Sequence, residues 1–464
     1  MEKAGMMKKN RDFQTSGTER ISYGAYFFGQ NIFYFILTQF FGPFMTDIGI
    51  TAATAAVIMM VVKVWDAVND PIFGGIVDRV HFKKGKFVPW LRISLILIPL
   101  STIFLFTAPA GAADVTKVIW VIVGYILWDT AYTVCDVPIY GLVTTMTGNL
   151  AERTSIMAVG RIFAGLGAAS AVMLLPQIRQ AVGGWMPSVA IASALALAVM
   201  APVCFTAKER IAPPKTEAEP GLKEMLRFFK SNKYLLVFNL ALVIAALTNI
   251  SDALNVYFAR YILGDERMLT LFAAIVLVPM LLASAFMPAL VKKHDKFTMY
   301  FYAAVLTIVM EVIQFFVGYG NLTVLIITSI LRYIPAGVMT ALMFMFTPDV
   351  VEYGHYKTGV RASGIAFSVQ TFTAKLTAAI SGAVGLFALA VIGFIEGEGA
   401  AQLAGFNDKL WLLYTLMPCV GAALALPVLW KYKLRDKDVQ IMTDFNSGAI
   451  SREEAEKLLG ERYN

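Results

Sequence analysis

Long apolar runs, broken by short polar stretches, dominate the chain. A helix that crosses a bilayer needs about 20 apolar residues. Twelve runs meet that length: 21–46, 51–77, 90–109, 117–147, 154–176 and 186–207, then 234–260, 268–291, 297–318, 322–348, 361–395 and 409–431. Several are longer than a minimal span, which predicts tilt or helix extending beyond the bilayer. One interior interruption differs from the rest. Residues 208–221, from Lys208 to Gly221, are rich in Pro and charge and divide the spans into six and six. The pattern predicts an all-α membrane protein of twelve transmembrane helices in two six-helix bundles, 21–207 and 234–432. A polar segment 1–20, a central loop 208–233 and a tail 433–464 complete the chain.

Composition agrees with this pattern. The chain is 58% hydrophobic and 15% charged, whereas soluble domains carry about 25% charged residues. A soluble globular enzyme is excluded. Cys135, Cys204 and Cys419 each lie in an apolar run and read as packing residues. His81, His294 and His355 are far apart, without metal-ligand spacing. Neither a resident metal nor another cofactor is expected, and no enzyme constellation is present.

The net charge of +7 could suggest nucleic acid, but its distribution gives another meaning. Of 39 Lys and Arg residues, 30 fall in one alternating set of loops and termini, and 5 in the other. Cytoplasmic loops of membrane proteins carry such an excess. Both termini are therefore expected in the cytoplasm, and no nucleic-acid partner is needed. The first twenty residues are polar and lack the pattern of a removable signal peptide. In the tail, Ser451-Arg-Glu-Glu454 fits a capping box followed by Ala455, Leu458 and Leu459 at helical spacing. It predicts a short helix on the cytoplasmic surface, with a docking or regulatory segment as the alternative.

Ionisable residues inside spans carry the functional information, because each costs at least about 2.5–3.5 kcal/mol to insert. The second span reads Lys63-Val-Trp-Asp66-Ala-Val-Asn69-Asp70. Asp66 and Asp70 share a helix face, with Lys63 on the same side. Two carboxylates one turn apart suit a small hard cation or a shared proton; a neutral cluster closed by Lys63 is the structural alternative. The fourth span places Asp129 and Asp136 on nearly one face, with Tyr132, Thr133 and Tyr140 along or near it. The fifth carries Arg161 among small residues, and the eleventh carries Lys375 after Gln370 and Thr371. Carboxylates, fixed donors and aromatic faces are what a hydrated sugar needs. Interhelical salt bridges are the competing reading of the same charges. Asp252, Glu311 and Arg332 read as structural pairs in the second half.

Several motifs together resemble the glycoside–pentoside–hexuronide:cation symporter family, typified by the melibiose permease. They are Trp65-Asp66-Ala-Val-Asn69-Asp70-Pro71, Gly85-Lys86-Phe-x-Pro89-Trp90, Tyr132-Thr-x-x-Asp136-x-Pro138, Asp349-x-x-Glu352-Tyr-Gly and Ser368-Val-Gln370-Thr371-x-x-x-Lys375. The resemblance covers spans one to eleven. It implies a major facilitator fold and sugar uptake coupled to Na⁺, Li⁺ or H⁺, in a bacterial inner membrane and as a monomer. By motif match, Asp66, Asp70, Asn69 and Thr133 would hold the cation. Asp136, Arg161, Tyr132, Tyr140, Trp128, Thr371, Lys375 and the first-span pair Gln30-Asn31 would face the sugar. Lys63, Asp78, Arg79, Asp349, Glu352 and Arg361 would gate. Two departures stand out: Gln30-Asn31 replaces a Lys-Asp pair of the melibiose permease, and Tyr140 replaces a stacking Trp. Both imply a different sugar. A related transporter of a lysolipid or organic anion, and a transport-dead membrane sensor, are the alternatives.

Overall fold

The computed structural model describes residues 13–80, 82, 85–109, 111–211, 230, 232–343, 345–359 and 363–463. Within its helices, the side chains of 64, 67, 68, 70, 71, 74, 78, 150, 151, 284, 288, 364, 461 and 462 lie outside the described residues. The described chain is helical throughout apart from one isolated bridge, Phe82 with Gly85. It forms two compact units, Met1–Glu217 with Ile395–Ala401, and Ala218–Phe394 with Gln402–Asn464.

The first unit is built from α1 (Gly17–Asp47), α2 (Ala52–Arg79), α3 (Val88–Leu105), α4 (Asp114–Met146), α5 (Leu150–Val182) and α6 (Trp185–Met200). Ser16 and Glu19 cap α1 reciprocally, Glu19 N donating to Ser16 Oγ at 3.2 Å and Ser16 N to Glu19 Oε2 at 2.8 Å. Small residues let α1 and α5 cross closely. A methyl group at Gly167 would overlap the backbone of Phe28, and one at Gly24 would come within 2.9 Å of the Phe163 ring. This packing sets Arg161, on α5, beside the helix that carries Gln30. At the opposite extreme of design, α3 begins without a cap of its own. Glu209 supplies it, accepting from the backbone N–H groups of Lys86, Phe87 and Val88 at 2.9 Å each. Arg210 binds Glu19 at 2.8 Å. The start of the expected central loop is thus anchored on the first unit.

The second unit contains α7 (Lys233–Ala246), α8 (Ser251–Tyr257, continued by a π turn Phe258–Ile262), α9 (Leu269–Leu290), α10 (Lys296–Val317), α11 (Leu322–Met343), α12 (Phe346–Thr358), α13 (Ser363–Val391) and α14 (Phe406–Leu429). Two tail helices follow, α15 (Asp436–Asn446) and α16 (Arg452–Leu459). The seventh span is not one continuous helix: it breaks between α7 and α8 at Leu247–Ile250. There Thr248 turns its hydroxyl to accept from Gly421 N on α14 at 2.7 Å, and Asn249 O accepts from Ser381 Oγ on α13. Helix also continues where a loop was expected after Asp349. Val350, Val351, Tyr353 and Tyr356 bury one face of α12 in the core of this unit, which accounts for the extra turns.

Arg332 and Glu311 form a buried ion pair at 3.3 Å, as expected of a structural pair. Gln314, Ser251 and Cys419 fill the remaining donor and acceptor positions around it. Of the two readings of the tail, the structure favours docking over a helix lying on the surface. Ala455 and Leu459 of α16 are buried, and Tyr463 donates to Asp438 Oδ2 at 2.6 Å while its ring packs near Tyr234 and Tyr353.

Among the described residues, ten segments are long and apolar enough to cross a membrane. Helices α1 and α2 match them in length. The second half of α2 carries the charges that the site uses.

Candidate functional site

The site grows from α4. Its polar residues recur along one side, so one helix presents two polar clusters, one toward α2 and one toward α1 and α5.

Toward α2 lies the first cluster. Asn69 is buried and donates from one amide nitrogen to Thr133 Oγ1 at 2.7 Å and to Asp129 Oδ2 at 3.2 Å. Thr133 in turn donates to the Asp129 carbonyl at 3.0 Å. Lys63 pairs with Asp66 at 3.2 Å, and its ammonium lies 5.9 Å from the centre of the Tyr125 ring. Asp66 therefore has a cationic partner here, as in the neutral-cluster reading. The side chain of Asp70 lies outside the described residues. Asp129 is the residue that motif matching underweighted. Only 4% of it is exposed, and its oxygens anchor both Asn69 and Thr133. The signal was visible: Asp129 stands one helical turn before Thr133. Among the described residues no group of three His, Cys, Asp or Glu converges on a metal position.

The second cluster surrounds a cavity of about 260 Å³ inside the first unit. Gln30, Asn31 and Tyr34 line it from α1, Tyr132, Asp136 and Tyr140 from α4, and Arg161 from α5. Gln30 is buried, and its amide nitrogen donates to Asp136 Oδ1 at 2.5 Å and, more weakly, to the Tyr132 hydroxyl at 3.4 Å. Asn31 donates to the Phe27 carbonyl at 2.8 Å, a helix back-bond that leaves its amide oxygen able to accept. Tyr34 and Tyr132 pack with ring centres 5.5 Å apart, and Tyr140 meets Phe27 edge-on at 5.2 Å. Asp136, polar amides, a guanidinium and several tyrosines thus share one pocket. Such a mixture of a few fixed polar groups and aromatic walls is typical of small-molecule sites.

Trp128 is placed differently from the expectation of a sugar contact. It stacks on Tyr132 at 5.1 Å but is itself 2% exposed and does not line the cavity. It stands one turn before Tyr132 on the same helix and stacks on that ring, supporting the wall without reaching the cavity.

The remaining candidates belong to the second unit or to helix ends. Thr371 and Lys375 lie one turn apart on α13, both exposed. Asp349 is bound by Lys296 at 2.6 Å, and Lys296 also reaches Asp436 of the tail at 3.4 Å. Glu352 accepts from Asn446 of the tail at 2.8 Å. Both expected gating carboxylates therefore hold the tail helices within their own unit. Arg79 is exposed at the end of α2. The Asp78 side chain and Arg361 lie outside the described residues.

Helices of this length and apolarity, with a polar cavity enclosed among them, define a multi-pass membrane protein. The fold is similar to a crystal structure of the nucleoside transporter NupG, with a TM-score of 0.62 and 16% identity over 89% of this chain and 100% of that one. The model of the MFS/sugar transport protein family matches residues 22–436, and the chain belongs to that family. Among curated relatives, the isoprimeverose transporter of Lactiplantibacillus pentosus is 26% identical over 92% of this chain and 91% of its own length. The glucuronide carrier protein homolog of Escherichia coli strain K12 is 28% identical over 85% of this chain and 87% of its own length. The protein is an integral multi-pass protein of the bacterial inner membrane.

Proposed function

We propose that this protein is a secondary active symporter that couples uptake of a sugar to a monovalent cation, Na⁺ or H⁺, by alternating access. In this reading twelve helices form two bundles, 21–207 and 234–432, with both termini and the loop 208–233 in the cytoplasm. The relatives named for isoprimeverose and glucuronide transport support a sugar as the cargo. Both are small glycosidic molecules of the size that a cavity of about 260 Å³ can begin to enclose.

One observation carries the coupling: both polar clusters share α4. Thr133 and Asp129 hold Asn69 on one side, and Asp136 and Tyr132 line the cavity on the other. Thr133 and Asp136 are three residues apart on one helix, so neither cluster can reorganise without the other sensing it. A cation entering beside Asp66 would compete with Lys63 for that carboxylate and draw on the Asn69–Asp129–Thr133 group. Any resulting adjustment of α4 would be felt at Asp136. The cation here is cargo, and its energy drives accumulation. One charge moving through about 100 mV releases roughly 2.3 kcal/mol, enough for about fifty-fold concentration of the sugar.

The test is Asp66→Asn in right-side-out vesicles. Concentrative uptake is expected to disappear while sugar exchange down its gradient persists. Normal accumulation by this variant would remove Asp66 from the coupling site.

A further inference from the structure

Inside the second unit, two carboxylates share one cation. Glu311 on α10 and Arg332 on α11 are both buried and pair at 3.3 Å. Asp252, in the first turn of the short helix α8, lies within electrostatic reach of the same guanidinium. A guanidinium stays charged, so the three groups carry a net negative charge unless one acid holds a proton. Within a bilayer such a charge is costly, and two carboxylates competing for one partner cannot both ionise cheaply. Among the described residues, the other ionisable groups that meet this cluster are Tyr333 on α11 and Tyr414 and Cys419 on α14, none of them cationic. Helix α13 also packs on α8, but it touches the break before α8 through Ser381, six residues beyond its Lys375. Arg260, two turns after Asp252, is paired with Glu266 at 2.8 Å.

The two acids differ in their access to water. Glu311 is buried, one oxygen facing Arg332 and the other accepting from Cys419 Sγ at 3.1 Å. Asp252 is exposed, and the Asn255 amide stands 3.5 Å from it, at the edge of bonding distance. A chain of hydrogen bonds joins them. Arg332 donates to Ser251 Oγ at 3.2 Å, and Ser251 donates to the Tyr414 carbonyl at 2.9 Å. The Tyr414 hydroxyl donates to Asn255 Oδ1 at 3.0 Å, and Asn255 donates to Asp252. An ionised Asp252 would compete with Glu311 for Arg332 across this chain.

We propose that Asp252 is the entry to a proton-binding site in the second unit, formed with Glu311 and Arg332. One proton comes from water as the Asp252 carboxylate becomes a carboxylic acid, and the cluster is then neutral. In a set coupled this closely the proton belongs to the group as a whole, but it enters where water touches the group. The site is separate from both polar clusters on α4. It adds a proton as a ligand whichever cation Asp66 takes, and it does not depend on the identity of the sugar.

Infrared difference spectroscopy of the purified full-length protein in lipid nanodiscs, in Na⁺ buffer at neutral pH, tests the assignment. Asp252→Asn is expected to remove the C=O stretch of one protonated carboxyl group, a band that shifts in deuterated water. Glu311→Gln should remove it as well, because Arg332 then balances an ionised Asp252. Arg332→Gln should do the reverse and add one protonated carboxyl, because neither acid keeps a counter-charge. Asp66→Asn should leave the band in place. The Asn and Gln variants preserve side-chain shape, so they decide the matter even where Arg332→Gln does not fold. A band kept in full by Asp252→Asn would overturn the site. One lost from Asp252→Asn but kept by Glu311→Gln would overturn the sharing of a single proton. Loss of the same intensity in Asp66→Asn would overturn its independence from the coupling site, whereas failure of the symporter reading itself shows only in the uptake experiment above.

Discussion

Asn69 shows how much one residue organises. Its amide reaches Thr133 and Asp129 together, and both partners are buried. Asn69→Ala strips those bonds and is expected to cost roughly 1–3 kcal/mol of stability. It should also weaken cation binding several-fold, as measured by thermal unfolding with and without Na⁺. Equal Na⁺ stabilisation of the variant and the parent would show that this group takes no part in cation binding. Glu19, just before the first apolar run, gives a prediction in pH. Burial pushes its carboxyl up, but hydrogen bonds from Arg210 and Ser16 outweigh this and hold it at about 2, below the ordinary 4.5. A depressed native value contributes stability that is complete above about pH 4.5 and is lost as pH falls toward 2. Glu19→Gln should therefore unfold at lower temperature than the parent at pH 7, with the gap closing between pH 5 and pH 2. A gap independent of pH over that range would contradict the assignment. The reciprocal cap of Ser16 and Glu19 is written in local sequence, Ser-Gly-Thr-Glu. The Arg210 partner, nearly two hundred residues away, is not.

At the scale of elements, the crossing of α1 and α5 fixes where Arg161 stands relative to Gln30. Gly167→Val drives a branched side chain into the backbone of Phe28. Overpacking of this kind usually costs about 1–3 kcal/mol. The expected result is a lower midpoint of thermal aggregation in detergent together with lost sugar binding. Gly165→Ala on the same helix meets nothing within 4 Å and serves as the control. Tail docking makes a second prediction. Tyr463→Phe leaves the buried Asp438 carboxylate without that donor. Limited proteolysis should then cut the tail several-fold faster. Unchanged cleavage would mean that the aromatic contacts with Tyr234 and Tyr353 hold the tail by themselves. The helical periodicity of Ala455, Leu458 and Leu459 announced α16. It did not say what its apolar face would meet, because that surface is assembled from α7, α12 and α15.

For the whole molecule, orientation rests on charge. Thirty of 39 cationic side chains fall in one set of loops and termini. A reporter fused after residue 464 should therefore be active in its cytoplasmic form. One inserted between Gly264 and Glu266 should be active in its external form. The opposite pair of outcomes would invert the proposed topology. The division into spans was readable because bilayer thickness imposes a length on every run of apolar residues. Departures came where that rule competes with side-chain chemistry, at Thr248–Asn249 and along α12.

Sequence alone determined the class of the protein: its membrane-crossing helices, its expected orientation, and the few charges inside the spans that demand a function. Each of these is a local or one-dimensional property, set by the cost of exposing polar groups to lipid. Only the tertiary structure decided which of those charges already have partners. It joined Gln30 to Asp136, gave Lys63 to Asp66, stacked Trp128 on Tyr132, and set Arg161 on the wall of the cavity that Asp136 lines. Pairing depends on helices brought together from distant parts of the chain, and a charge reveals its purpose only when its neighbours are known.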